Sequence, residues 1–184
     1  MQDETAVIAA AETLNQEALE AIFDEYAPAL YKYALRLGVG SQEADQIVGD
    51  VFVRLLEKIV EGKGPRTNLR SYLFQIAYHL VVDQARERQR TAPLDVYDFM
   101  KEDKESVQAQ TEERMLFEKL SEAMESELTE DQRDVIVLRF QEDFSLNETA
   151  EIVGKSVNAV KALQNRGVNK LRQCMSRENG GNHG

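Results

Sequence analysis

Between Glu148 and Leu171 the chain reads ETAEIVGKSVNAVKALQNRGVNKL, and the placing of Ala150, Gly154 and Val160 in it leaves room for little besides two helices crossing at a tight turn. Ala150 lets a second helix approach closely, Gly154 supplies a turn conformation that side chains resist, and Val160 faces back into the angle between the helices. Ser156 then stands where a hydroxyl can accept an N–H left unpaired at the start of the next helix. Val157, Val160, Leu163, Val168 and Leu171 form one apolar stripe, interrupted by Gly167. The other face carries Asn158, Ala159, Lys161, Ala162, Asn165, Arg166, Asn169 and Lys170. Lys and Arg neutralise phosphate, and Arg and Asn also make paired hydrogen bonds to guanine and adenine. The segment reads as a helix-turn-helix whose second helix suits a DNA major groove. An amphipathic helical hairpin with a solvated basic face is the competing reading.

Three-and-four spacing of apolar residues recurs along the rest of the chain, which has only 3 prolines in 184 residues, so the expected fold class is all-α. Residues 1–15 form an N-terminal extension, read as a frayed Ala-rich helix. A first domain spans residues 16–90. Its first helix covers 16–36, through Pro28, with Leu19, Ile22, Phe23, Tyr26, Leu30, Tyr33, Ala34 and Leu37 on the apolar side. Gly38 and Gly40 close it, and Ser41 is the expected N-cap of a second helix reaching about residue 60. That helix is expected to bury Ala44, Ile47, Val48, Val51, Phe52, Leu55, Leu56 and Ile59. The loop GKGPRTN, Gly62 to Asn68, leads to a third helix over about 69–88, with Leu73, Ile76, Ala77 and Leu80 as its stripe and Phe74 as core. Residues 91–112 are polar and acidic and read as a linker. A second domain covers 113–176, with helices expected near 113–126, 130–141, 146–153 and 157–175. Residues 177–184 read as a disordered tail.

The net charge of −11 is unevenly spread. Residues 91–127 hold 11 acidic against 4 basic side chains, whereas residues 63–90 and 145–177 each hold six basic against two acidic. Two locally positive segments thus sit in a chain that as a whole repels a polyanion. Such a chain should bind duplex DNA poorly alone, because phosphate neutralisation supplies most non-specific affinity.

Several classes are disfavoured. No apolar run approaches the roughly 20 residues that span a bilayer, and no signal-peptide pattern opens the chain, so membrane insertion is not expected and a cytoplasmic location is. Cys174 is the single cysteine, which rules out an internal disulfide and a cysteine-rich zinc site. With two histidines, no phosphate-binding glycine loop and no paired residues at metal-ligand spacing, neither an enzyme, a metal nor a cofactor is expected.

Taken in order, ADQIVGDVFVRLLEKI and LRSYLFQIAYHLVVDQARERQR, the acidic linker, and LTEDQRDVIVLRFQEDFSLNETAEIVGKSVNAVKALQNRGVNKLR resemble a bacterial sigma factor of the extracytoplasmic-function (ECF) type. The resemblance covers roughly residues 16–175. It implies a region 2-like bundle followed by a region 4-like helix-turn-helix domain. Core RNA polymerase, bound through its β′ clamp coiled coil and β flap, and promoter DNA are the implied partners; an anti-sigma factor is a further one.

The resemblance also implies roles for individual residues. Asp45, Gln46, Gly49, Asp50 and Arg54 match the polymerase-binding stretch, with Phe52 packing inward. For melting and recognition of the −10 element, the matching positions are Arg66, Thr67 and Asn68 in the loop after Pro65, and Arg70, Tyr72, His79 and Arg86 on the third helix. Opening costs a few kcal/mol per flipped base, offset by stacking and by hydrogen bonds to base edges. For the −35 element, Lys161, Ala162, Asn165 and Arg166 hold the reading positions, with Ser156, Asn158 and Lys170 nearer phosphate. Ala159, Ala162 and Leu163 stand where many relatives have Thr, Ser and Arg, which concentrates the readout on Asn165 and Arg166. Asp95, Asp98, Glu102, Asp103 and Glu105 of the linker are candidates for a path through the polymerase normally made for nucleic acid. The alternative function is a stand-alone helix-turn-helix regulator, which would bind duplex tightly by itself, usually as a dimer on a palindrome.

Overall fold

The computed structural model describes residues 8–11, 13–91 and 112–180. The described residues are helical with connecting turns and contain no strand. They fall into two units, Met1–Glu102 and Asp103–Gly184. The linker carboxylates from Asp95 to Glu105 lie outside the described residues.

In the first unit Asn15 accepts the Ala18 N–H at 2.9 Å and opens α1, Gln16–Arg36. Pro28 lies inside this helix, where a proline costs about 3 kcal/mol or more. Burial of Ile22, Leu30, Tyr33 and Ala34 offsets that cost. Gly38, at φ +89°, turns the chain out of α1. Gly40 rather than Ser41 then stands at the N-cap of α2, Ser41–Val60; the Gly40 carbonyl accepts the Ala44 N–H at 2.9 Å, and no side chain caps this end. The extended backbone at Gly40 shifts the helix start so that Ser41 is already helical.

α2 buries Ala44, Ile47, Val48, Val51, Leu55 and Ile59, a single stripe at three-and-four spacing. Leu56 does not join it. One residue past Leu55, it lies about 100° further round the helix and is 37% exposed. Phe23, also expected inside, is 47% exposed and meets half-buried Phe52 at a tilt, ring centres 4.8 Å apart. α3, Leu69–Thr91, completes a bundle in which α1, α2 and α3 all pack on one another. At its centre the fully buried rings of Tyr33 and Phe74 meet at 4.9 Å. Ahead of α1, residues 8–11 form a helical turn that is packed down rather than frayed, with Ile8 and Ala11 both buried.

The second unit uses two capping boxes. α4, Glu112–Glu127, ends just before Thr129, whose hydroxyl accepts the Gln132 N–H while Gln132 bonds back to the Thr129 N–H, opening α5, Glu130–Ile136. Ser145 and Glu148 do the same for α6, Leu146–Val153. The helix expected over 130–141 runs unbroken to Gln141, but its last part, Val137–Gln141, widens into a π-helical turn, with the Glu142 N–H on the Val137 carbonyl at 3.0 Å. Arg139 donates there to the Phe144 carbonyl and, at 3.0 Å, to Gln164 Oε1. The bond to Gln164 ties the turn to the final helix.

Gly154, at φ +66°, closes α6 in the left-handed region, and α7, Val157–Gly180, follows, running four residues into the segment expected as tail. No proline or glycine pair interrupts it before Gly180 and Gly181. α7 packs on α4, α5 and α6. Val135, Leu138, Phe144, Ile152 and Val160 form the tightest part of this core, each at most 1% exposed.

Candidate nucleic-acid interface

The turn at Gly154 and the cap at Ser156 fix how α7 presents its outer face. Ser156 Oγ accepts the Ala159 N–H at 3.2 Å, as the sequence suggested. Behind α7, Val160 and Leu171 are buried, and Gly167, far from interrupting the stripe, is buried in it close against α5: a Cβ there would lie 3.1 Å from Ile136 Cγ1. The outward face carries Asn158, Lys161, Asn165 and Asn169, all exposed at helical spacing, with half-buried Ala162 and exposed Arg166 beside them. Lys161, Asn165 and Arg166 bond to no other described residue, so their polar groups are available to a ligand.

Two residues expected near phosphate are engaged elsewhere. Lys170 Nζ donates to the Glu127 carbonyl at 2.8 Å, capping the C-terminus of α4, and the Ser156 hydroxyl is used in its own cap. Conversely, Asn169 and Arg172 are exposed on the same face as Lys161 and Asn165, and simple extension of the helical spacing would have found Arg172. Lys155 pairs with Asp131 at 3.0 Å, joining the turn to α5.

In the first unit the loop before α3 is held at both ends. Gly62 leaves α2 at φ +70°, and Gly64 folds so close to Ile59 that a Cβ would come within 3.0 Å of its Cγ1. Arg66, Thr67 and Asn68 form an exposed tip; Asn68 sits at φ +55°, and its carbonyl accepts the Tyr72 N–H at 3.1 Å. Along α3, half-buried Tyr72 and exposed His79, Asp83, Arg86 and Arg90 fall on one stripe. Arg70 is off this stripe, its guanidinium 5.1 Å above the Phe74 ring. Arg88 also turns away, bonding Glu43 of α2 at 2.6 Å. The basic run at the end of α3 is therefore divided between one cation that braces the bundle and two that lie along the stripe.

Beside Tyr72, Glu61 takes Lys58 at 2.8 Å and Lys63 at 3.3 Å. Its hydrogen bonds to the two lysines hold the Glu61 carboxyl below its ordinary value, and the Glu61 bond raises Lys58. Burial pushes the Tyr72 phenol up, with Lys58 opposing and Glu61 adding to the rise. Tyr72 thus stays a neutral ring with a donor hydroxyl, able to stack or to hydrogen-bond.

On α2, Asp45, Gln46, Gly49, Asp50 and Arg54 are all exposed, on the side away from the bundle. Among them run Val53 at 54% exposure and Val60 at 71%, with Leu56 alongside, an apolar strip that the sequence reading did not find. Its signal was present in the i, i+3, i+7 spacing of these three residues, masked by the stronger buried stripe.

A three-helix bundle with a pinned loop and polar stripe is followed along the chain by a helix-turn-helix domain, and family models of the sigma-70 transcription initiation factors match both. The model "Sigma-70 region 2" matches residues 22–91, and "Sigma-70, region 4" matches residues 126–173. The chain belongs to the ECF RNA polymerase sigma factors. It is 30% identical to the ECF RNA polymerase sigma factor EcfG of Rhodopseudomonas palustris over 144 residues, 78% of this chain and 77% of EcfG. It is 29% identical to SigX of Bacillus subtilis, also an ECF RNA polymerase sigma factor, over 87% of this chain and 84% of SigX. Its fold is similar to CnrH, solved in complex with the cytosolic domain of CnrY, with a TM-score of 0.70 at 22% identity over 95% of this chain and 97% of CnrH. It is likewise similar to the sigma factor RpoE of Bartonella quintana, solved with the anti-sigma factor NepR, with a TM-score of 0.63 at 22% identity over 85% of this chain and 96% of RpoE. No described helix is long and apolar enough to cross a membrane.

Proposed function

We propose that this sigma factor joins core RNA polymerase through the outer face of α2, reads the −35 element with α7, and recognises and opens the −10 element with the loop tip at residues 66–68 and the stripe of α3. The observation that carries this is the order of two sigma family domains, each with a solvent-facing set of polar side chains on a braced scaffold. On α2 an apolar strip flanked by Asp45, Asp50 and Arg54 suits a partner helix with complementary charge, such as the β′ clamp coiled coil. The β flap is the matching partner for the second unit. On α7 the readers are Lys161, Asn165 and Arg166, with Asn158, Asn169 and Arg172 along the same face; Ala162 adds apolar contact with a thymine methyl. Lys170, held by the α4 carboxyl end, contributes charge rather than a direct phosphate bond.

On the first unit, Arg66, Thr67 and Asn68 meet the exposed base, Tyr72 and His79 offer rings for stacking, and Arg86 follows the single-strand backbone. The complex of RpoE with the anti-sigma factor NepR supports an anti-sigma factor as the inhibitory partner here as well. Polymerase supplies the affinity that a chain of net charge −11 lacks, and the site of action is the cytoplasm.

Footprinting of the holoenzyme on its promoter tests the α7 assignment. Arg166→Ala is expected to weaken binding by about 1–3 kcal/mol at one base pair of the −35 element and to relax selection there. Unchanged selection at every −35 position would remove Arg166 from the reading set.

A further inference from the structure

Ile8 and Ala11, 5% and 1% exposed, are as well buried as the bundle core, although they precede α1. Together with Pro65 and Leu69 they line one small apolar cavity, whose other walls include Ile22 and Ile59. Pro65 and Leu69 are the residues on either side of the exposed tip, Arg66, Thr67 and Asn68. Both feet of the tip therefore stand on a floor to which the N-terminal turn contributes one wall. The tip itself has a defined backbone. Asn68 is held at φ +55°, and Gly64, just before Pro65, is pressed against Ile59. Asn tolerates this left-handed conformation, so the tip's presentation depends on how its two ends are held, and a recognition group loses selectivity when its support lets it move by about 1 Å.

We propose that the turn at residues 8–11 is a positioning element for this loop: Ile8, without touching DNA, holds Pro65 and Leu69 so that the tip admits one base and refuses others. The proposal rests on the assignment of the loop to −10 recognition. Ile8 is the residue to alter, because its side chain can be shortened in steps while α1, α2 and the exposed tip keep their own residues.

The test uses holoenzyme assembled with core polymerase, transcribing a pooled promoter library with a fixed −35 element and a randomised −10 element, the transcripts being sequenced from one reaction. All templates compete in the same tube, so a smaller active fraction scales every product alike and leaves the base ratios unchanged. Relative to the unaltered protein, Asn68→Ala is expected to flatten the preference at one −10 position. Ile8→Ala is expected to flatten the same position by about threefold or more, a fraction of what one good base contact discriminates. Ile8→Val, which removes a single methyl group, should fall between, and it carries the test alone if Ile8→Ala does not fold. Wild-type ratios for both Ile8 variants beside a flattened Asn68→Ala profile would overturn the positioning role. Wild-type ratios for Asn68→Ala as well would overturn the loop assignment itself, and the proposal with it.

Discussion

Thr149 is fully buried in α6, and its hydroxyl finds no partner among the described residues. A buried donor left unmade costs about 1–3 kcal/mol, whereas an apolar group of the same shape costs nothing of the kind. Thr149→Val should therefore raise stability by about 1 kcal/mol in urea unfolding of the isolated protein, with no effect on the exposed face of α7. Asp134, on α5, has its carboxyl pushed up to about 7 by burial; Arg133 and Lys155 oppose the rise, while Asp131 and Glu130 add to it. Its folded value lies above the unfolded one of 3.8, so the folded chain holds the extra proton between about pH 4 and pH 7. The stability from this group is full below pH 4, is lost as pH rises to about 7, and changes no further above that. Asp134→Asn should remove that slope and, at pH 8, be about 1–2 kcal/mol more stable than the parent, the full shift being discounted for the residue's partial exposure. A parent and variant with parallel pH profiles would contradict the assignment. Residues of this kind divide by what determines them. Gly154 and Ser156 were legible because their roles are set within three residues of themselves. Lys170 was not, because the carbonyl that holds it is 43 residues away.

At the scale of elements, the two glycines inside long helices should respond in opposite ways to substitution. Gly49 on α2 is exposed with nothing near a prospective Cβ, so Gly49→Ala should stabilise the first unit by about 0.5–1 kcal/mol. Gly167 is the contact between α7 and Ile136, so Gly167→Leu should overpack the crossing and destabilise the second unit by about 1–3 kcal/mol. Thermal unfolding of the two variants measures both, and a destabilised Gly49→Ala would show that this surface is covered. Helix positions were largely legible, since α1, α2 and α6 follow their periodicity and their turn residues. The capping boxes at Thr129–Gln132 and Ser145–Glu148 were equally present in the sequence, as T-x-x-Q and S-x-x-E, and mark both helix starts. The π-helical turn at Val137–Gln141 was not legible. Arg139 reaches forward to Phe144 and across to Gln164 there, and three-and-four spacing carries no trace of either bond. Phe23 and Leu56 failed for a related reason: both are apolar and at helical spacing, but each lies at the border of a stripe whose width is set by the neighbouring helix.

For the whole molecule, the decisive combination is a net charge of −11 with positive charge gathered on two segments, one within the region 2 match and the other overlapping the region 4 match. A free-standing regulator built this way would have to hold duplex DNA against its own repulsion, whereas a polymerase subunit need only supply base selectivity. The division into two domains was legible from the charge and from the separate periodic segments. Which residues face solvent was not legible: only packing separates Val53, Leu56 and Val60 from the buried stripe, and Arg88 from Arg86 and Arg90. Run-off transcription of genomic fragments by purified core polymerase, with and without this protein, tests the central claim most directly. Discrete transcripts that require both components are the expected result; folded, inhibitor-free protein that yields no polymerase-dependent initiation on any fragment would contradict it.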